Sequence, residues 1–174
     1  MREIVESIQG EYRRYKKLAE GAIQQLRDEE LSAVGPGEAN SVAIVVWHIS
    51  GNLKSRFTDF LTSDGEKPWR RRDEEFDQRK VTSAELQNKW NEGWDVLFRA
   101  LDSLTDNELQ RTVTIRGEQF KALEALHRSV THTAYHVGQI VHIAKTLRGS
   151  DWKTLTIPRG KSQEYNSNPT GQRA

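Results

Sequence analysis

The chain contains no cysteine, which excludes disulfides, thiolate metal ligands and a cysteine nucleophile from within it. Any thiol chemistry must therefore use an external thiol. Charge imbalance is also missing: 26 Lys plus Arg against 25 Asp plus Glu leave a formal net charge of +1 over 174 residues. Without a large field to gather polyanions, a nucleic-acid partner is not expected. The longest basic cluster, Arg70-Arg71-Arg72, runs straight into Asp73, Glu74 and Glu75 and reads as a solvated or locally paired loop. No apolar run reaches membrane-span length, and the opening MREIVESIQGEYRRYKK has no apolar h-region. A cytoplasmic protein without a membrane partner is expected. The motifs of several enzyme classes are missing as well, among them the G-x-S-x-G elbow, the phosphate loop and the strand-borne G-x-G-x-x-G. H-E-x-x-H is absent because Thr133 stands where a metallopeptidase holds its glutamate base.

What the chain does have is periodic apolar sequence punctuated by five Trp, five Phe and four Tyr, enough to build a core in one domain spanning 1–174. Ile4, Ile8, Tyr12, Tyr15, Ala19, Ala22 and Leu26 recur at three- and four-residue steps, predicting an amphipathic first helix. Gly35-Pro36-Gly37 breaks it. Asn40 or Ser41 can cap a second helix running to about Ser63, with Val45, Ile49, Asn52, Phe57 and Phe60 on its inner stripe. Asp64–Val81 is charged and aperiodic, a long crossover loop. Thr82 and Glu85 form a capping box for a third helix whose Leu86, Trp90, Trp94, Leu97, Leu101 and Leu104 face inward. Alternation from Thr112 to Phe120 around Gly117 predicts a short hairpin or extended link, and a last helix covers about Lys121 to Leu147. From about 150 to 174 a polar tail follows, with Trp152, Leu155 and Ile157 as anchors. The fold class expected is all-α, an antiparallel four-helix bundle.

One constellation carries chemistry. His132 and His136 are four residues apart on the last helix, so their rings lie about 40° apart on one face and can reach one ion together. His136 is in line with Gln139, Ile140, Ile143 and Leu147, pointing the pair inward. His48, on the second helix in line with Val45, Ile49 and Asn52, can converge on the same place. Three imidazoles from two helices would hold a divalent transition metal and leave positions open, as catalytic zinc sites do; zinc, nickel, copper and iron all suit imidazole. The same residues also fit the description of hydrogen-bonded core or surface histidines with His48 unrelated, and spacing alone leaves both readings open. His127 and His142 lie well around the helix from His132 and read as surface or packing residues. Asn52 and Gln139 can support the ligands or serve as ordinary buried amides. Arg56, Arg70 to Arg72 and Arg159 can orient an anionic group, although exposed arginines without such a role are commoner. No residue is assigned to catalysis.

The segment Trp47-His48-Ile49-Ser50-Gly51-Asn52 and the run His132-Thr133-Ala134-Tyr135-His136-Val137-Gly138-Gln139-Ile140 resemble those of the DinB/YfiT-like metalloenzyme family. The loop Thr62–Trp69 and the tail Ile157–Ser162 look like its uncharacterised bacterial branch. The resemblance spans essentially the whole chain. It implies a four-helix bundle, often a homodimer, with His48, His132 and His136 holding one divalent metal, zinc or nickel foremost and iron or copper next. It further implies a metal-dependent hydrolase, or a transferase using a low-molecular-weight thiol, acting on a small-molecule substrate. The competing expectation is a non-catalytic, structural or stress-related metal-binding module.

Overall fold

A computed structural model describes residues 1–37 and 39–169. The chain is mostly helical. Among the described residues, six α-helices and one hairpin run in the order α1 (Glu3–Ile23), α2 (Asp28–Leu31), α3 (Val42–Phe57), α4 (Ser83–Asp102), β1 (Thr112–Ile115), β2 (Glu118–Lys121), α5 (Ala122–Arg148) and α6 (Ser162–Ser167). Single 3-10 turns occupy Asp73–Phe76, Asp106–Gln110 and Gly149–Asp151. The antiparallel strands pair Thr112 with Lys121 and Ile115 with Glu118 around Gly117, whose φ of 77° is one that glycine tolerates freely. The hairpin foreseen between the third and last long helices is thus present.

Helix starts follow the capping chemistry. Ser41 Oγ accepts from the Ile44 amide at 3.2 Å, and Thr82 and Glu85 close a reciprocal box at the start of α4. Between Asn40 and Ser41 as caps, the structure selects Ser41. Helix ends diverge from the periodicity. The α3 helix stops at Phe57 rather than about Ser63, because Thr58 turns to extended backbone, its hydroxyl bonding back to the Lys54 carbonyl, and Asp59 takes a φ of 49°. Phe60 and Leu61 still pack on the core from the turn that follows, which is why the apolar period continues past the helix end. Likewise α1 ends at Ile23, and Leu26 enters the core from a turn. Ile4, expected on the inner stripe, is 48 % exposed, and neighbouring Val5 is buried in its place.

The core is threaded by Tyr12, Trp90 and Trp94, all fully buried. The Tyr12 ring meets both Phe57 and Trp94 edge-on, at 6.3 and 6.1 Å between centroids, the arrangement that aromatic quadrupoles favour. α3 packs along α4, α1 along α5, and α3 also touches α5. Gly93 permits a close approach of α4 to α3: a Cβ there would lie 2.7 Å from the Ser50 Cα. The tail closes against α1. Gln25 and Lys153 exchange hydrogen bonds at 2.8 and 3.0 Å, while Trp152 and Leu155 pack on the core and Ile157 is half-buried. The last residues of the expected tail, 170–174, lie outside the described residues. No helix among the described residues is long and apolar enough to cross a membrane.

Candidate metal centre

The α3–α5 contact places His48, from the middle of α3, against His132 and His136 of α5. His48 and His136 are buried and His132 is half-buried. His132 Nε2 lies 3.2 Å from His48 Nε2 and 3.1 Å from His136 Nε2, and the ring nitrogens of all three fall within 4.8 Å of one another. The structure therefore brings together all three histidines singled out in the sequence. His127 and His142 are exposed and stand apart.

The other edges of two rings are already engaged. His48 Nδ1 faces Glu75 Oε2 at 2.9 Å, and His136 Nδ1 faces Gln139 Oε1 at 2.8 Å. Both partners are acceptors, so each Nδ1 must carry the proton and donate it. That assignment, made from hydrogen-bond chemistry, leaves a bare lone pair on Nε2 of His48 and of His136. His132 Nε2 can donate to only one of them. The convergence of lone pairs is otherwise unsatisfied by protein groups, and a cation satisfies it. Two bonds of about 2.0–2.1 Å at a tetrahedral angle place donor nitrogens about 3.3 Å apart, close to the two separations observed. The donor set, three neutral imidazoles without thiolate, fits a divalent transition metal.

Electrostatics agree with neutral rings for the two histidines of α5. Burial, reinforced by the neighbouring His136 and His48 and by Arg70 and Arg56, pulls the His132 pKa down to about 3. Burial also lowers that of His136, partly offset by the bond to Gln139. Glu75 moves the opposite way from what its burial alone would give. Desolvation opposes its ionisation, but hydrogen bonds from His48 and Arg70 and the Arg70 charge outweigh it and keep its pKa below the usual carboxylate range.

Glu75 is the functional residue that the sequence reading missed. It sits on the 3-10 turn Asp73–Phe76, within the stretch expected to be solvated or locally paired loop. Arg71 and Arg72 do meet that expectation, being exposed and beside Glu74 and Asp73. Arg70 is locally paired as well, but buried: its side chain is only 2 % exposed and clamps Glu75 through Nε and Nη2 at 2.8 and 2.9 Å. Space for the Glu75 carboxylate comes from Gly51, where a Cβ would lie 2.1 Å from Glu75 Oε1. Phe76 on the same turn covers His48, 4.8 Å between ring centroids. Of the two amides left open between ring support and an ordinary buried role, Gln139 accepts from His136, whereas Asn52 lines the adjoining cavity without bonding a ring. Tyr135 is 65 % exposed, and Arg159 is exposed, outside the cavity lining.

That cavity, about 280 Å³, opens beside the three histidines and is walled by α3, α5, the long loop and the hairpin tip. Its size is near the lower end of small-molecule pockets, about 300–1,000 Å³. Neither a curated protein nor a solved structure gives a significant match to the sequence. A family model described as a protein of unknown function, DUF1572, matches residues 1–161. With the match extending from α1 through α5 and into the tail, and so including all three histidines, the chain belongs to the DUF1572 family.

Proposed function

We propose that this chain is a DinB-like four-helix-bundle metalloprotein in which His48, His132 and His136 bind one divalent transition metal, and that it is an enzyme acting on a small molecule. The observation that carries the proposal is the consumption of two Nδ1 protons by Glu75 and Gln139, which turns two Nε2 lone pairs toward the third histidine. When bound, such an ion supplies Lewis acidity, lowering the pKa of a coordinated thiol or water toward neutrality. The protein's own groups do the positioning. Glu75 fixes the His48 tautomer and ring plane, Arg70 fixes Glu75, and Gln139 fixes His136, the outer partners that ligating imidazoles require. The histidines act as ligands rather than as bases. With no cysteine in the chain, a thiol nucleophile comes from solution, which accounts equally for thiol transfer and, with water in its place, for hydrolysis. The adjoining cavity favours turnover over a purely structural ion, because a cross-link between α3 and α5 needs no room for a ligand beside it. Zinc or nickel is the favoured ion, and the working unit is a homodimer.

The test begins with elemental analysis of protein purified without an affinity tag, where about one transition-metal equivalent per chain is expected. Metal-loaded protein is then assayed with a panel of thiols plus a generic electrophile, and separately with esters and amides. His48→Ala should lose both metal and turnover. Unchanged metal content in that variant would end the proposal. Sedimentation or light scattering tests the dimer.

A further inference from the structure

Five arginines, Arg56, Arg70, Arg72, Arg116 and Arg128, line the cavity beside the histidines, and no carboxylate does. The carboxylates that pair with them are not among its lining residues. Glu66 is shared among Arg56, Arg116 and Arg70, at 3.2, 2.9 and 3.8 Å; Glu75 serves Arg70; exposed Asp73 lies 3.6 Å from Arg72. Three acidic groups thus face five guanidinium groups, and the excess positive charge is concentrated in a chain whose net charge is only +1.

Two of these arginines have unspent donors. Arg70 directs Nε and Nη2 to Glu75, but its Nη1 is buried without a hydrogen bond, 3.8 Å from Glu66 Oε2. That nitrogen is closed off from solvent, so Arg70 offers the cavity its charge rather than a reachable donor. Arg128 has its guanidinium 5.4 Å from the Phe120 ring centre and pairs with no carboxylate among the described residues. The two approach the cavity from different elements, the loop and α5.

We propose that the cavity is an oxyanion-binding site, and that the small molecule processed here carries a carboxylate or phosphoryl group held by Arg128 and Arg72, with the charge of Arg70 beneath them. The inference rests on the metal-site reading only for where the substrate reacts; the anion site itself is built from other residues. Planar guanidinium forks match both oxyanions in paired hydrogen bonds, so the two share one recognition chemistry. The cavity's size limits the ligand to a metabolite-sized molecule.

Calorimetric titration of the full-length protein at fixed ionic strength, as purified and after metal removal on chelating resin, tests this. The probes are inorganic phosphate, malonate and uncharged malonamide. Phosphate or malonate should bind the metal-free protein, malonamide should not, and the tighter of the two anions identifies a phosphoryl or carboxylate ligand. Arg128→Gln should weaken anion binding at least tenfold, and Arg72→Gln/Arg128→Gln further; both side chains are at the surface, so the fold is not at risk. Anion binding by the metal-free wild type and the metal content of His48→Ala are independent readouts, so the two readings fail separately. Anion affinity equal in wild type and the double variant, malonamide binding as tightly as malonate, anion binding that requires metal and ignores the arginines, or no anion binding at all would each overturn the site.

Discussion

Gly51→Ala separates the contribution of Glu75 from that of the histidines without substituting either. Viewed as a helix substitution it should help, since alanine inside a helix is favoured over glycine by about 1 kcal/mol. The structure argues for the opposite net sign. The new Cβ would sit 2.1 Å from Glu75 Oε1 and 2.7 Å from its Cδ, whereas heavy atoms settle at about 3.5–4.0 Å, so the carboxylate must retreat by more than about 1 Å. At that displacement the 2.9 Å bond to His48 and the paired bonds to Arg70 cannot all survive. Arg70, 2 % exposed, would then be left with a poorly matched partner. Removing the partner of a buried charge costs about 3–5 kcal/mol, so a displaced partner should outweigh the helix gain and leave a net loss of about 2 kcal/mol. His48 would meanwhile lose the acceptor that sets its tautomer, and loss of such outer partners weakens metal binding about 10–100-fold. Urea denaturation of the metal-free variant and competition with a chromophoric chelator for zinc measure the two effects. Glu75→Gln, which keeps an acceptor of the same shape, should lose less affinity than Gly51→Ala. A variant stabilised by about 1 kcal/mol, with wild-type zinc affinity, would refute the role assigned to Glu75.

Four further outcomes are expected. Zinc at one hundred times its Kd should stabilise the wild type by about 2.7 kcal/mol, seen as a rise in Tm that is absent in His132→Ala. Acid should destabilise the metal-free protein through His132: its folded pKa is about 3 against about 6.5 in an unfolded chain, so the unfolded state alone takes up the proton as pH falls. The stability lost should accumulate from about pH 6.5 toward 3 in denaturation midpoints, and His132→Gln should flatten that slope. Gly93→Ala should destabilise the fold by about 1–3 kcal/mol, because its Cβ meets the Ser50 backbone, which cannot rotate away, at 2.7 Å; unfolding by urea reads this directly. Asp64 accepts from the amides of Glu66, Arg116 and Gly117 at 2.6, 2.9 and 2.8 Å. Asp64→Ala should therefore speed hydrogen exchange at Arg116 and Gly117 by about tenfold, equivalent to about 1.4 kcal/mol of local stability.

What could be read from the sequence depended on whether a residue's role is local. The Thr82–Glu85 box, the α4 stripe through Trp90 and Trp94, and the turn at Gly117 each depend on neighbours within a few positions, and each is found as expected. The pairing of His132 with His136 is equally local, and Gln139 lies one turn beyond them. The ends of α1 and α3 misled because core residues outlast helical backbone: Leu26, Phe60 and Leu61 continue the apolar period from turns. Glu75 gave no signal at all. It lies in an aperiodic, charged stretch among other acidic residues, 27 positions from His48, and only the packing over Gly51 distinguishes it from Glu74. Arg70 stands among the candidate anion-orienting arginines, but its burial was hidden for the same reason, being set by Glu75 and Glu66 rather than by any repeat.

Because His48 and His132 are separated by 84 positions, a chain growing from its N-terminus exposes one ligand long before the other two exist. A lone imidazole holds an ion weakly, so firm capture must await release of α5 and its docking beside α3. Occupancy of the proposed centre would then report that the last long helix has been made and has found its place, a property that a site built within one hairpin would not have.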